Sequence, residues 1–302
     1  MVEVTPSAPY FKLAEYCKIT AGQQADLLVN LHDGTYIDLD KKISGLFDAS
    51  GYIELNDDPV LLKIIDLFTA NQLGAPAAER SEAVADTPYH NPYLVSNAIV
   101  AFGDAERFAT AVETLLEHNC PFFEFRVASN AQAHEVKHVI DELTPRFYDF
   151  RYGIVFFMHE EPEAAFRNNI YFKFVAAGAV EDGPITAEHL VINATAYAEA
   201  QSYHMGLNGK VFINENLEVF CHPTHSQSFG NLASTPLADV VPAIAAAYWH
   251  VSKNEIEQCK TCRFRHICCD FDELVVKNGQ HFRRHTCNFA KVPPQPAAKE
   301  AN

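Results

Sequence analysis

The chain has 302 residues, 48% of them hydrophobic, with 39 acidic against 23 basic residues and a formal net charge of -16. That length supports roughly two or three packed units rather than one minimal core. The acidic balance excludes nucleic acid and anionic membrane as main partners and favours a basic peptide or the basic face of another protein. No run approaches the ~18 consecutive apolar residues of a membrane span. The opening "MVEVTPSAPYFKLAEY" has neither the basic nor the apolar region of a secretory signal. Eight cysteines without such a signal point to a cytoplasmic protein, where thiols stay reduced.

Residues 1–92 open with two extended stretches, "PYFKLAEYCKI" and "ADLLVNLHDGTYIDL", the second carrying the hairpin signal Asp33-Gly34. Asp58 and Pro59 form a helix start as cap and first-turn proline, and Leu61, Ile64, Ile65 and Phe68 mark one apolar face behind them. Hairpin plus helices reads as a small winged-helix-like unit. "GAPAAERSEAVADTPYHNP" then reads as a linker or surface excursion.

Residues 93–202 alternate apolar runs with helical patterns. "NAIVAF" precedes "DAERFATAVETLLEHN", which Asp104 caps, and "FFEFRVA" precedes "AQAHEVKHVIDEL". "DFRYGIVFFM", "NIYFKFVAAG" and "HLVINA" read as further strands. The alternation predicts βα units and a mostly parallel sheet, so the fold class is α/β. Glu160, Glu161 and Glu163 read as a solvated helix start. No Gly-rich phosphate loop, G-x-S-x-G or H-E-x-x-H motif occurs.

Residues 203–302 begin with the hairpin "KVFINENLEVFC", turning at "NEN", and a polar loop, "HPTHSQSFGN", where Gly230-Asn231 reads as a turn. An Ala-rich helix follows, with Tyr248 and Trp249 as packing residues. Ser252 and Glu255 form a capping box. The tail "KVPPQPAAKEAN" has the composition of a disordered segment.

The chemistry concentrates in "QCKTCRFRHICCD" and "HFRRHTCNF". Cys259 and Cys262 form a C-x2-C pair, and Cys268, Cys269 and Cys287 follow. Two thiolates at that spacing share one tight turn and grip one metal together. Four are the complement of a structural zinc or an iron–sulfur cluster, and spacing leaves both open. Lys260, Arg263 and Arg265 would offset the negative charge. Cys221, His222 and His225 make a second, weaker cluster, in which Cys221 stands out because it ends a strand. His266 is a candidate hydrogen-bond partner for a thiolate. Cys17 and Cys120 sit in apolar contexts and read as buried free thiols.

The succession "AEAQSYHMGLNGKVFINENLEVFC", "SQSFGN" and "YWHVSKNEIEQCKTCRFRHICCD", then a late cysteine, resembles a SPASM domain. The whole chain resembles the SPASM-domain peptide maturases of grasp-with-spasm systems, which accompany an ATP-grasp ligase that crosslinks a ribosomally made precursor peptide. The resemblance implies a winged-helix-like peptide-recognition unit, a degenerate, partial βα barrel and a C-terminal SPASM-type cysteine-rich module. It assigns one [4Fe–4S] cluster, with zinc as alternative, to Cys259, Cys262, Cys268 and Cys287. The family's second cluster is incomplete here: its cysteines fall on Gly206 and Phe271, leaving Cys221, with His204 and Cys269 as possible extra ligands. The radical S-adenosylmethionine motif C-x3-C-x2-C is missing, since only Cys17 and Cys120 precede His204. The expected role is therefore that of an accessory maturation protein, more binding than catalytic, partnered by a precursor peptide and an ATP-grasp ligase. Alternatives are a redox-active iron–sulfur enzyme or a zinc-ribbon interaction module. The resemblance also suggests that a leader peptide adds as a strand at Leu27, Val29 and Leu31, or at Tyr36–Leu39.

Overall fold

The structure is a computed structural model that describes residues 8–81, 88–143, 154–158, 170–174 and 189–287, the strands at 154–158 and 170–174 by backbone alone. Glu160, Glu161, Glu163 and the Pro- and Ala-rich tail lie outside the described residues. Along the first region run β1 (Tyr10–Leu13), β2 (Cys17–Thr20), β3 (Asp26–Asn30), β4 (Thr35–Leu39), the single-turn helix α1 (Lys41–Ser44), β5 (Tyr52–Glu54), α2 (Pro59–Ala70) and β6 (Gly74–Ala77). They form two antiparallel sheets, ordered β5-β1-β6 and β2-β3-β4. The β3–β4 turn sits at the expected Asp33-Gly34: Gly34 takes φ +76°, and the Asp33 carboxylate accepts from the Thr35 amide at 2.9 Å. Asp58 caps α2 by accepting from the Val60 amide, and Leu61, Ile65 and Phe68 bury against Phe11 and Ile53.

Residues 74–77 do not belong to a linker. Gly74–Ala77 pairs with β1 from Tyr10↔Ala77 to Leu13↔Gly74. Pro76 is tolerated because β6 is an edge strand. Gly74 is required by close approach, since a Cβ there would stand 2.4 Å from the Lys12 carbonyl oxygen.

The rest of the chain contains β7 (Asn97–Ala101), α3 (Ala105–Glu117), β8 (Phe123–Val127), α4 (Asn130–Leu143), β9 (Ile154–Met158), β10 (Ile170–Phe174), α5 (Ala194–Ser202), β11 (Lys210–Ile213), β12 (Glu218–Phe220), β13 (Gly230–Asn231), α6 (Leu237–Ile244), β14 (Leu274–Lys277) and β15 (Gln280–Arg283). A seven-stranded sheet runs β10-β9-β8-β7-β11-β12-β13, parallel from β10 to β11 and antiparallel beyond. It stays open, and no barrel closes among the described residues. Because β11 to β13 extend the sheet of the middle region, one core crosses residue 202, joining Val100, Phe108, Phe125 and Val136 to Ile213, Val240 and Tyr248. Gly230-Asn231 supplies the outermost strand of that sheet rather than a free turn.

"HLVINA" does not enter the sheet. Its amides and carbonyls go instead to the cysteine loop: Val191 donates to the Ile267 carbonyl at 2.8 Å, and Cys269 donates to the His189 carbonyl at 2.7 Å. The capping box Ser252/Glu255 is formed, with Glu255 accepting from the Ser252 amide and hydroxyl at 2.9 Å each. It closes a turn rather than starting a helix. Tyr248 and Trp249 lie in a π-helical turn after α6 and are buried, with Trp249 Nε1 donating to the Lys210 carbonyl. Among the described residues no helix is long and apolar enough to cross a membrane.

Candidate metal centre

The cysteine loop has no regular helix. It is a chain of tight turns in which Cys259 donates to Ile256, Cys262 to Cys259 and Cys268 to Phe264. The hairpin β14–β15 returns the chain to this loop. Its turn, Asn278-Gly279, holds both residues at positive φ, as a type I′ turn requires. Two pins fix the hairpin to the loop: Arg283 N donates to Gln258 at 3.0 Å, and Glu257 N donates to the His281 carbonyl at 3.0 Å. Cys287, just past β15, comes within electrostatic reach of Cys262.

Lys253 lies within electrostatic reach of Cys259, Cys262 and Cys268, and Cys268 within that of Cys259. Among the described residues, however, no three His, Cys, Asp or Glu side chains already stand together as a metal-holding group. Burial pushes Cys259 and Cys268 up to about 12 and raises Cys262, so all three are protonated thiols at neutral pH. Any metal they bind must displace those protons.

Beneath the thiols lies an ionic core that sequence reasoning missed. Lys253 and Asp270 form an ion pair with side chains only 2% and 4% exposed. Burial alone would lower Lys253, but the Asp270 carboxylate overrides it and holds the ammonium well above its usual range. Asp270 is held well below its own range: burial works against this, but Lys253, His204 and Arg283 outweigh it. Arg283 Nε stands 3.7 Å from Asp270 and 3.3 Å from Asp272. By contrast, the cations expected around the thiolates are partly engaged elsewhere. Arg263 pairs with Asp38, Lys260 pairs with Glu257, and Arg265 bonds Asn254 and the Ala21 carbonyl. Arg263 still lies within electrostatic reach of Cys262.

His204 lies at the floor of this core, fully buried, with no hydrogen-bond partner at either ring nitrogen among the described residues. Burial, then the charge of Lys253, lowers it to about 3, so the ring is neutral. The groups facing it are Lys253, Asp270, Arg283 and His225. Glu273, also unanticipated, gathers the polar loop onto the hairpin by accepting from the Ser226 amide at 2.9 Å and from Arg284.

The other candidates are placed as follows. Cys221 is a core thiol, its Sγ directed to the Leu207 and Lys210 carbonyls, and burial pushes it up to about 12. His222 stacks on Phe271 with ring centres 4.4 Å apart, and His225 Nε2 lies 2.9 Å from the Phe271 carbonyl oxygen. Cys269 packs beside Ala196, Ala200 and Met205. At Gly206 a Cβ would stand 1.8 Å from the Asp270 carbonyl oxygen, so this fold admits no cysteine there. Gly206 is thus taken up by close backbone packing and Phe271 by an aromatic stack. His266 contacts Thr20 and Asn254 rather than a thiol. Cys17 and Cys120 are buried, as expected.

Leu27 and Val29 do not offer an edge. They lie on β3, the central strand, hydrogen-bonded on both sides, and their side chains are buried against Phe264, Ile267 and Cys268, with Leu31 packed beside them. The apolar run Leu27–Val29 reflects a strand buried on both faces, since Leu28 points the other way, into the core of α2 and β1. The second candidate, Tyr36–Leu39, falls on β4, which is an edge strand among the described residues.

The four cysteines have the chemistry of a thiolate donor set, but among the described residues they are not assembled into one, and the buried cations Lys253 and Arg283 are already paired with Asp270 and Asp272. Comparison with family models, with curated proteins and with solved structures finds no match for the chain.

Proposed function

We propose that this chain is an accessory protein of ribosomal peptide maturation. It binds a precursor peptide beside an ATP-grasp ligase and carries one auxiliary-type [4Fe–4S] cluster on Cys259, Cys262, Cys268 and Cys287. One observation carries the reading: a cysteine-bearing loop beside a buried Lys253–Asp270 ion pair is packed directly against a small sheet whose outer strand, β4, is an edge among the described residues. In this reading the first region serves as the winged-helix-like recognition unit, residues 203–302 as the SPASM-type module, and the open parallel sheet as the remnant of a barrel. An extended peptide pairs with β4 through main-chain hydrogen bonds, with exposed Ile37 offering an apolar contact. The protein's acidic charge draws a basic segment toward it.

The bound centre would supply folding free energy to the loop and, as a cluster, a site for one electron. The chain's own residues do the rest. Gln258 and Glu257 hold the hairpin that precedes Cys287, and burial keeps water from Cys259 and Cys268. With all four positions taken by cysteine, no metal position is left for substrate, which favours binding and organisation over catalysis.

A second reading, a zinc ribbon, draws support from the hairpin set between the cysteine loop and Cys287. Metal and acid-labile sulfide analysis of anaerobically purified protein separates the two. About four irons with matching sulfide per chain supports the cluster, and about one zinc without sulfide supports the ribbon. Co-elution with an ATP-grasp ligase and its precursor from the same cell tests the partners, and failure of both to co-elute overturns the maturation role.

A further inference from the structure

We propose that Asn278 is a site of spontaneous covalent modification, where attack by the Gly279 backbone nitrogen turns the asparagine into aspartate and isoaspartate and loosens the β14–β15 hairpin. No metal, partner or enzyme takes part.

Asn-Gly is the dipeptide in which this chemistry is least hindered, because glycine has no Cβ to block the approach to its nitrogen. The chain contains two, Asn208-Gly209 and Asn278-Gly279, and the fold treats them oppositely. Asn208 is held in place: its Nδ2 donates to Glu199 Oε1 at 2.7 Å, and its backbone amide donates to the His204 carbonyl at 2.8 Å. Gly209 is buried, its carbonyl accepts from the Ser96 and Asn97 amides, and a Cβ on it would stand 2.2 Å from Ser96 Oγ. Asn278 and Gly279 instead form the tip of the hairpin. Lys277 and Gln280 are the last paired residues, residues 276–280 are all exposed, and nothing lies within 4 Å of where a Gly279 Cβ would be.

Both turn residues have positive φ, 52° and 76°, so the turn has to open before the nitrogen can reach the side chain. The hairpin makes that opening easy. It is a two-stranded ribbon, and the bonds that pin it, Glu257 to His281 and Arg283 to Gln258, lie along β15 beyond the turn. Gly279 N then bonds to Asn278 Cγ, the Cγ–Nδ2 bond breaks, and ammonia leaves with the proton from the glycine nitrogen. Water opens the resulting cyclic imide at either carbonyl. One product is aspartate. The other is isoaspartate, whose backbone runs through the side-chain methylene and is one carbon longer. Both add a negative charge to a chain already at -16. The longer backbone does not fit a two-residue turn, so the closing pair Lys277↔Gln280 is displaced.

The test is peptide mapping by mass spectrometry of the full chain, incubated native and in urea in mildly alkaline buffer. In native protein the peptide containing Asn278 is expected to gain about one dalton and to split into two products, while the peptide containing Asn208 stays unchanged for roughly tenfold longer. In urea the two are expected to react at similar rates. Native protein in which the two peptides react at the same rate, or not at all, overturns the assignment. A gain in mass without isoaspartate overturns the route through the glycine nitrogen. Hydrogen–deuterium exchange supplies the second arm. Protection at 274–283 should fall in aged protein relative to fresh, and Asn278→Asp, which adds the charge without lengthening the backbone, should retain it. Equal protection in aged and fresh protein overturns the loosening.

Discussion

The two ends of this protein are built on opposite principles. The interior around α2 is hydrocarbon: Phe11, Leu28, Ile53, Ile65 and Phe68 fill it, and its polar groups stay at caps and turns. The interior beneath the cysteine loop is ionic: Lys253, Asp270, Arg283, Glu273 and His204 are all buried there. A hydrocarbon core is stabilised by the area it removes from water and needs nothing further. An ionic core recovers its desolvation cost only through its partners, so it is strong as a set and fragile when any member is lost.

The contrast can be broken most forcefully at the ion pair. Lys253→Met leaves Asp270 buried without its cation and is expected to cost about 3–5 kcal/mol in urea denaturation, while Lys253→Met with Asp270→Leu recovers much of that loss. On the hydrocarbon side, Ile65→Ala should cost about 3 kcal/mol through the cavity it opens, with the same value in metal-loaded and chelated protein. A smaller loss, about 1 kcal/mol, is expected for Asp58→Ala, which removes the α2 cap. It should add to Ile65→Ala within error, unlike the coupled ionic pair.

The smallest effect at neutral pH belongs to His204→Leu. The ring makes no hydrogen bond among the described residues, so its removal should leave the denaturation midpoint at pH 7 unchanged or raised. Its signature lies in acid. His204 is neutral in the folded protein, with its value lowered to about 3, whereas the unfolded chain takes up that proton near 6.5. Wild-type stability is therefore full above about pH 6.5 and falls as pH drops toward 3, and His204→Leu should flatten that part of the profile. Asp270, lowered as well, acts in the same direction and sustains the slope at the acid end in the variant. A midpoint that falls sharply at pH 7 would show that the ring makes a contact in solution that Leu cannot replace.

Local signals made much of the fold legible. Asp33-Gly34, Asp58-Pro59 and Asp104 each act through neighbours a few residues away, and each stands where the pattern places it. The strand–helix alternation from "NAIVAF" to "NIYFKF" likewise became parallel strands. Distant pairings were the illegible part. "GAPA" carries no strand propensity and becomes β6 only because β1 offers it an edge. "HLVINA" has strand composition but gives its hydrogen bonds to the cysteine loop. At the site, the cysteines announced themselves by spacing, whereas nothing in the local sequence marks Lys253 and Asp270. Their burial depends on a partner 17 residues away and on a hairpin beyond it. Leu27 and Val29 looked like a docking edge because an apolar strand shows neither which face is covered nor by what.

β3 now carries two assignments at once, Leu28 to the hydrocarbon core and Leu27 with Val29 to the cysteine loop. A slip of one residue in its pairing would exchange those faces wholesale. Single-residue insertions or deletions between Lys18 and Tyr36 should therefore be far less tolerated than substitutions. In any more distant descendant of this chain, the spacing of that short stretch should hold longer than its letters.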